Sequence, residues 1–287
     1  MVVTVDPFGD LVAFDLAAGT RRVLGRDAAG WPEGPVAVAD QAFYISGGSA
    51  FRPTSPSPLG SADSLLPVSG LQELWATPSA GAGAHVASLF HVQDGWALIT
   101  QADLNPGETP VAAGPSRLAA VRDGEIVIRD ANTGRVTGRA GPVKHSYDIV
   151  GASGDTLVYV HNGQCDSGCS LTLFDMTAAT ATLLPAPAGT SGFIGGGAVS
   201  PTGDTAAFVT VGHASGQAEL VIDNVDGVRV IPVPFDVEEP VGAAAWDPTG
   251  RWIVYGGPRA TYLLDTATMR TTLLPFTAGY SFTIIAA

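Results

Sequence analysis

Lysine is almost missing from this sequence. Lys144 stands alone, and 14 basic against 27 acidic residues over 287 positions leave a formal charge of −13. Nucleic acid binding needs clustered cations to displace counterions from phosphates, so that class of partner is excluded. An acidic balance favours solubility and names no partner. Only 14% of residues are charged and only two are cysteine. No apolar run approaches the roughly 20 residues of a membrane-spanning helix, and no long stretch carries the period of an amphipathic helix. The N-terminal Met1-Val2-Val3-Thr4-Val5-Asp6-Pro7 has neither a basic region nor a cleavage motif. A cytoplasmic chain, or an exported one whose leader has been removed, fits that start.

What is abundant is turn chemistry: 36 glycines and 21 prolines separate short runs of Val, Ile, Leu, Phe and Tyr. Many short strands punctuated by Gly and Pro specify an all-β chain. The punctuation is periodic. Leu11–Asp15, Ile126–Asp130, Leu171–Asp175, Leu220–Asp223 and Tyr262–Asp265 are each an apolar strand ending in aspartate. Gly19, Gly134 and Gly227 follow three of these aspartates four positions later. The carboxylate accepts from backbone N–H groups just beyond it and glycine supplies a positive φ, so each aspartate is expected to cap a hairpin. A degenerate copy, Glu73–Thr77, keeps a glycine at Gly81.

A second turn precedes these strands. Ser200-Pro201-Thr202-Gly203-Asp204 introduces Thr205–Thr210, and Asp247-Pro248-Thr249-Gly250-Arg251 introduces Trp252–Gly256. Ser153-Gly154-Asp155 stands before Thr156–Val160, with weaker versions at Gln93–Gly95 and Ala39-Asp40. Each unit reads as strand A, tight turn, strand B, loop, strand C, capped turn, strand D, and recurs roughly every 40 to 60 residues. That is a four-stranded propeller blade. Six blades in one domain over residues 1–287 are expected, with a seventh, eroded blade as the alternative between Ala39 and Asp130. There Leu118–Arg122 can pair with Glu125–Arg129. Tyr280–Ala286 lacks partners B to D, and Val2–Val5 with Leu11–Asp15 lacks a strand A, so head and tail are expected to share a blade and remove the open edge.

Ser200–Asp204 and Asp247–Arg251, each followed by an apolar strand and an apolar-apolar-Asp turn, resemble the TolB-type propeller repeat. The resemblance is strongest over residues 144–279 and weakest over 30–120. It implies the propeller fold and a protein-binding platform in the bacterial envelope. Members with a fused peptidase domain are excluded by length, and the separate N-terminal domain of TolB itself has no counterpart.

A–B and C–D turns share one end of such a ring; B–C loops and blade-to-blade connections share the other. The interruptions Phe51–Gly70 and Gln101–Ser116, with His161–Ser170 and Val211–Ala218, are assigned here to B–C loops. Long loops in a compact fold are usually functional, which nominates that end.

Its candidate ligand-binding residues are His145, Tyr147 and Asp148 on one connection, Glu238 and Glu239 on another, and His161, His213 and Arg259 in loops. Arg52 and Arg117 are placed near the same end. Cys165 and Cys169 are four apart in one loop. A disulfide in an oxidising compartment is the simplest reading; free thiols, or a zinc set with His161 and His145 or His213, are the alternatives. Glu238 and Glu239 could hold calcium or act as acid and base, although a plain acidic rim is the simpler reading. No resident cofactor is expected. No nucleophile elbow, phosphate loop, HExxH or dinucleotide fingerprint stands in its required context. The expected function is an extracytoplasmic, monomeric module that binds a protein or small ligand. The alternative is a hydrolase, lactonase or lyase in the central funnel, whose side chains would have to converge.

Overall fold

The computed structural model describes residues 1–6, 8–28, 34–38, 40–53, 55, 57–68, 71–77, 86–92, 97–144, 148–161, 170–187, 189–191, 196–212, 216–236, 243–257, 259–279 and 281–285. Blade 1 contains β1 (Val2–Val5), β2 (Leu11–Asp15) and β3 (Thr20–Gly25). Blade 2 is β4 (Val36–Val38), β5 (Gln41–Ser46), β6 (Ser49–Phe51) and β7 (Gly60–Ser61). Blade 3 is β8 (Ser64–Val68), β9 (Glu73–Thr77), β10 (Val86–His91) and β11 (Ala97–Asp103). Blade 4 is β12 (Thr109–Ala113), β13 (Arg117–Arg122), β14 (Glu125–Asp130) and β15 (Val136–Ala140). Blade 5 is β16 (Ile149–Ser153), β17 (Thr156–Val160), β18 (Leu171–Asp175) and β19 (Thr180–Leu183). In blade 6 the short β20 (Thr190–Ser191) and β21 (Gly197–Val199) both pair with β22 (Thr205–Gly212), followed by β23 (Gln217–Asn224) and β24 (Gly227–Asp236). Blade 7 is β25 (Ala243–Trp246), β26 (Trp252–Gly256), β27 (Thr261–Asp265) and β28 (Arg270–Leu273), and β29 (Phe282–Ile284) returns to pair with β1. All pairings are antiparallel, and the described residues contain no α-helix.

The ring therefore has seven blades, not six. Blade 2 escaped the repeat pattern because its outer strands are three and two residues long and no aspartate caps them. Glu73–Thr77 is strand B of blade 3, not a C strand. Phe51–Gly70 is not a B–C loop, since it holds β7 and β8; Gln101–Ser116 holds the end of β11 and all of β12. Trp96–Thr100, expected as a B strand after the Gln93–Gly95 turn, corresponds to the outer D strand Ala97–Asp103. Leu118–Arg122 does pair with Glu125–Arg129, as the B–C hairpin of blade 4.

Seven apolar clusters fill the seven joints between neighbouring blades. Val2, on one face of β1, packs with Ala243 and Val254 of blade 7, while Val3 packs with Ala42 and Tyr44 of blade 2. Inner strands have a neighbouring sheet on both faces. They are therefore buried at consecutive positions, as in Val2–Val5 or Ile253–Tyr255, with no alternation. The D strands lie outside: β19 and β28 are exposed throughout and rich in threonine. Near the axis space is short. A Cβ on Gly197 would lie 2.5 Å from Val150 Cγ1, so glycine is required there.

Head and tail seal the ring. Val2, Val3 and Thr4 pair with Ile284, Thr283 and Phe282. The buried Thr4 hydroxyl donates to Ser281 O at 2.9 Å and accepts from Gly279 N–H at 2.9 Å.

Candidate functional site

The two ends of the ring differ in how their backbone groups are used. At the A–B/C–D end, blades 1, 4, 5, 6 and 7 close their outer hairpins with a side-chain cap. Asp15 accepts from the N–H groups of Ala17 and Ala18, Asp130 from Asn132 and Thr133, and Asp175 from Thr177 and Ala178. Asp265 accepts from Ala267. The Ala18 and Ala17 amides hold the Asp15 carboxyl below the usual range, and Thr133 does the same for Asp130.

Blade 6 departs from the expected pattern. Its cap is Asn224, whose Oδ1 accepts from Asp226 and Gly227 N–H at 3.0 and 3.1 Å. Asp223, expected to cap, instead points into the molecule and is fully buried. A cap lies three residues before glycine in blade 6 and four in blades 1 and 4; that offset was the signal in the sequence.

The B–C/D–A end carries the long connections, including residues 26–35, 78–85, 141–148, 161–170, 184–196, 237–242 and 274–281. Of the four interruptions first assigned there, residues 161–170 and the link between β22 and β23 are B–C loops; the other two are not. Asp148 is buried at the start of blade 5, where Oδ2 accepts from Lys144 N–H at 2.7 Å and clasps the connection. His161 follows β17, with Nδ1 3.0 Å from Thr172 Oγ1, and its backbone N–H donates to Ser170 O. Arg259 is exposed between β26 and β27. His145, Tyr147, Cys165, Cys169, His213, Glu238 and Glu239 lie outside the described residues. Their flanking strands all lead to this same end.

Arg52 and Arg117 belong to the opposite end, a correction that follows from the seven-blade register. Arg52 follows β6 in the C–D connection of blade 2. Arg117 opens β13, where its guanidinium lies 3.2 Å from the Asp130 carboxylate and donates to Ser116 O. Among the described residues no group of three His, Cys, Asp or Glu side chains is placed to hold a metal ion.

Residues unremarked in the sequence carry the strongest electrostatics. Glu108, in the connection into blade 4, receives Nε and Nη2 of Arg129 at 2.9 and 2.8 Å. Both side chains are almost wholly buried. Burial pushes the Glu108 carboxyl up, but the Arg129 fork and Asn105 outweigh it and hold it low. A groove beside this pair is lined by Arg122, Asp123, Glu125, Val127 and Arg139. Its charges face one another, Arg139 against Glu125 and Arg122 against Asp123.

Comparison with known proteins places this geometry among propellers. No family model matches the chain, and no curated protein matches its sequence. Solved structures do match in shape. A structure of the mitotic checkpoint complex contains a chain with TM-score 0.60 at 12% identity, covering 88% of this chain and 80% of that one. Hydrazine synthase from Kuenenia stuttgartiensis gives 0.55 at 14% identity, covering 79% and 75%. Hsv2 from Kluyveromyces lactis gives 0.53 at 11%, covering 92% and 74%. At these identities the likeness establishes the fold alone: an all-β, seven-bladed propeller of four-stranded antiparallel blades.

Proposed function

We propose that this propeller is an extracytoplasmic binding module that engages a protein or small ligand through its B–C/D–A end. The observation that carries the reading is the asymmetry between the two ends. At one end, turn amides are consumed by caps on Asp15, Asp130, Asp175, Asn224 and Asp265. At the other, the connections are long and the sequence places His145, Tyr147, His161, His213, Glu238, Glu239 and Arg259 on or beside them. Loops held by a rigid scaffold are where recognition residues concentrate. The resemblance of residues 144–279 to the TolB-type repeat supports a platform in the bacterial envelope. An oxidising compartment fits a Cys165–Cys169 disulfide.

The test places a photo-crosslinking residue at 161 or 259, and in controls at 17 or 177, in cells that make the protein. Adducts from 161 and 259 alone support the reading; adducts from the control positions alone, or from neither end, overturn it. Thiol titration of the unreduced protein checks the compartment. No titratable thiol is expected, and two would contradict export.

A further inference from the structure

Asp223 is the one described carboxylate that is fully buried with neither oxygen hydrogen-bonded. Its place in the fold is defined by register. On β23 it lies opposite Ala206 of β22 and Val228 of β24, and both pack into the cluster shared with Val158, Val160 and Leu171 of blade 5. Asp223 therefore faces the joint between blades 5 and 6.

The equivalent residue, one before the cap, is Phe14, Arg129, Phe174 and Leu264 in other blades. Phe14 stacks on Phe276 with ring centroids 3.7 Å apart. Phe174 joins a cluster with Val143, and Leu264 one with Val209 of blade 6. Arg129 meets Glu108. Each is apolar or ion-paired. In blades 1 and 4 the partner, Phe276 or Glu108, comes from the connection entering the blade; Val143 lies in the corresponding connection of blade 5. The connection entering blade 6, residues 184–196, contains no ionisable side chain at all.

Among the described residues, nothing else facing this position neutralises a charge. β22 presents Ala206, Phe208 and Thr210, whose buried hydroxyl also lacks a partner. β24 presents Val228 and Val230, with Arg229 on its other face. Glu219 lies further along β23 on the same side, and burial pushes its carboxyl up too. Blade 5 contributes Val158, Val160, Leu171, Leu173 and Leu184. Of the turn carboxylates, Asp155 accepts from Thr177, Asp175 from Thr177 and Ala178, and Asp204 from Ser200, Thr202 and Thr205.

We propose that Asp223 makes the joint between blades 5 and 6 proton-operated: the neutral carboxyl lets the two sheets stay packed, and ionisation drives the joint open to water. Burial alone pushes the Asp223 carboxyl up to about 7 from an ordinary 3.8. The neutral form is thus favoured in the closed joint, and the ionised form once water reaches it. Closure is fully supported below about pH 4, weakens about tenfold per pH unit above that, and levels off above about 7. Leu184, at the start of the connection into blade 6, packs in the same joint and donates its N–H to Leu171 O, so opening of the joint would reach that connection.

Amide hydrogen exchange, corrected for the intrinsic pH dependence of exchange, tests this on the whole chain at about pH 5 and about pH 8. Amides of β17, β18, β22 and β23 are expected to lose roughly 100-fold protection between the two. In Asp223→Asn and Asp223→Leu the loss should vanish, while amides of blades 2 and 3 stay unchanged in every variant. A carboxylic-acid infrared band should be present in the wild type at about pH 5 and fall away by about pH 8; in Asp223→Asn the band at about pH 5 should be weaker by the part Asp223 supplies, Glu219 accounting for what remains. Because that band is read on the wild type, the test survives a variant that fails to fold. Equal protection at both pH values, a loss that persists in either folded variant, or an ionised Asp223 at about pH 5 would overturn the proposal.

Discussion

Arg129 of β14 forks onto Glu108 with two hydrogen bonds of 2.9 and 2.8 Å, and its remaining terminal nitrogen donates to Gly134 O. The pair joins the outer hairpin of blade 4 to the connection that enters the blade. Removing one member leaves a buried charge without its partner, which costs far more than the pair itself contributes. Glu108→Ala and Arg129→Ala are each expected to destabilise the protein by about 3–5 kcal/mol in urea unfolding. Glu108→Leu combined with Arg129→Met should recover most of that loss. A double variant as weak as either single one would show that the ion pair has a net stabilising role.

Left-handed backbone at the outer hairpins supplies a cleaner test of turn chemistry. Gly19 and Gly134 have φ of 65° and 67°, yet Ala179 and Met269 hold the same turn position with φ of 54° and 56°. A Cβ added to Gly19 meets nothing within 4 Å, so Gly19→Ala isolates the backbone cost. It should destabilise by about 1 kcal/mol, and Ala179→Gly should stabilise by up to about 1 kcal/mol. Equal Tm values for Gly19→Ala and wild type would contradict that geometry.

Capped and uncapped aspartates should respond oppositely to pH. Asp15 and Asp130 are held low by turn amides, so their stabilisation is complete above about pH 4 and is lost as pH falls through their depressed values. Asp223 runs the other way: its folded value is raised, so stability declines as pH climbs from about 4 to about 7. Asp175→Ala, which removes a comparable cap, should cost about 1–2 kcal/mol at neutral pH. Asp223→Leu should gain stability at about pH 8 and little at about pH 4. A loss at both pH values would mean that Asp223 has a favourable partner.

Blades 5 to 7 were legible in the sequence because a Pro or Gly turn precedes each B strand, that strand is mostly apolar, and an Asp stands at or next to the cap of the outer hairpin. The joining of the last strand, Phe282–Ile284, to Val2–Val5 was legible for a related reason, since each end of the chain lacked what the other supplied. Of blade 2, the turn at Ala39-Asp40 and the strand after it were legible, and the outer half was not. Strands as short as Ser49–Phe51 and Gly60–Ser61 leave no periodic signature, and their serines and glycine read as loop. Treating that stretch as an insertion displaced the B and C assignments as far as β11. Asp223 was read as a cap because its neighbour Asn224 performs the same chemistry one residue later. The Arg129–Glu108 pair joins residues 21 apart in the chain, a distance over which composition carries no signal.

Sealing of the ring by Thr4 gives a further expectation. Thr4→Val keeps the shape but strands Gly279 N–H and Ser281 O, so a cost of roughly 2–4 kcal/mol is expected in thermal or urea unfolding. A neutral effect would mean that the hydroxyl's two bonds are dispensable.

The seam itself is the most direct object of measurement. Met1 and Ile285 exchange both backbone hydrogen bonds, at 2.9 and 3.0 Å, so Val2 and Ile284 form the next, non-hydrogen-bonded pair. Such partners have Cα atoms about 4.5 Å apart with their α-protons face to face. Nuclear Overhauser spectroscopy of the whole chain should show a strong cross-peak between the α-protons of Val2 and Ile284. If that peak is missing while the equivalent peaks inside blades 5 and 7 are present, the termini do not meet and the ring is not closed.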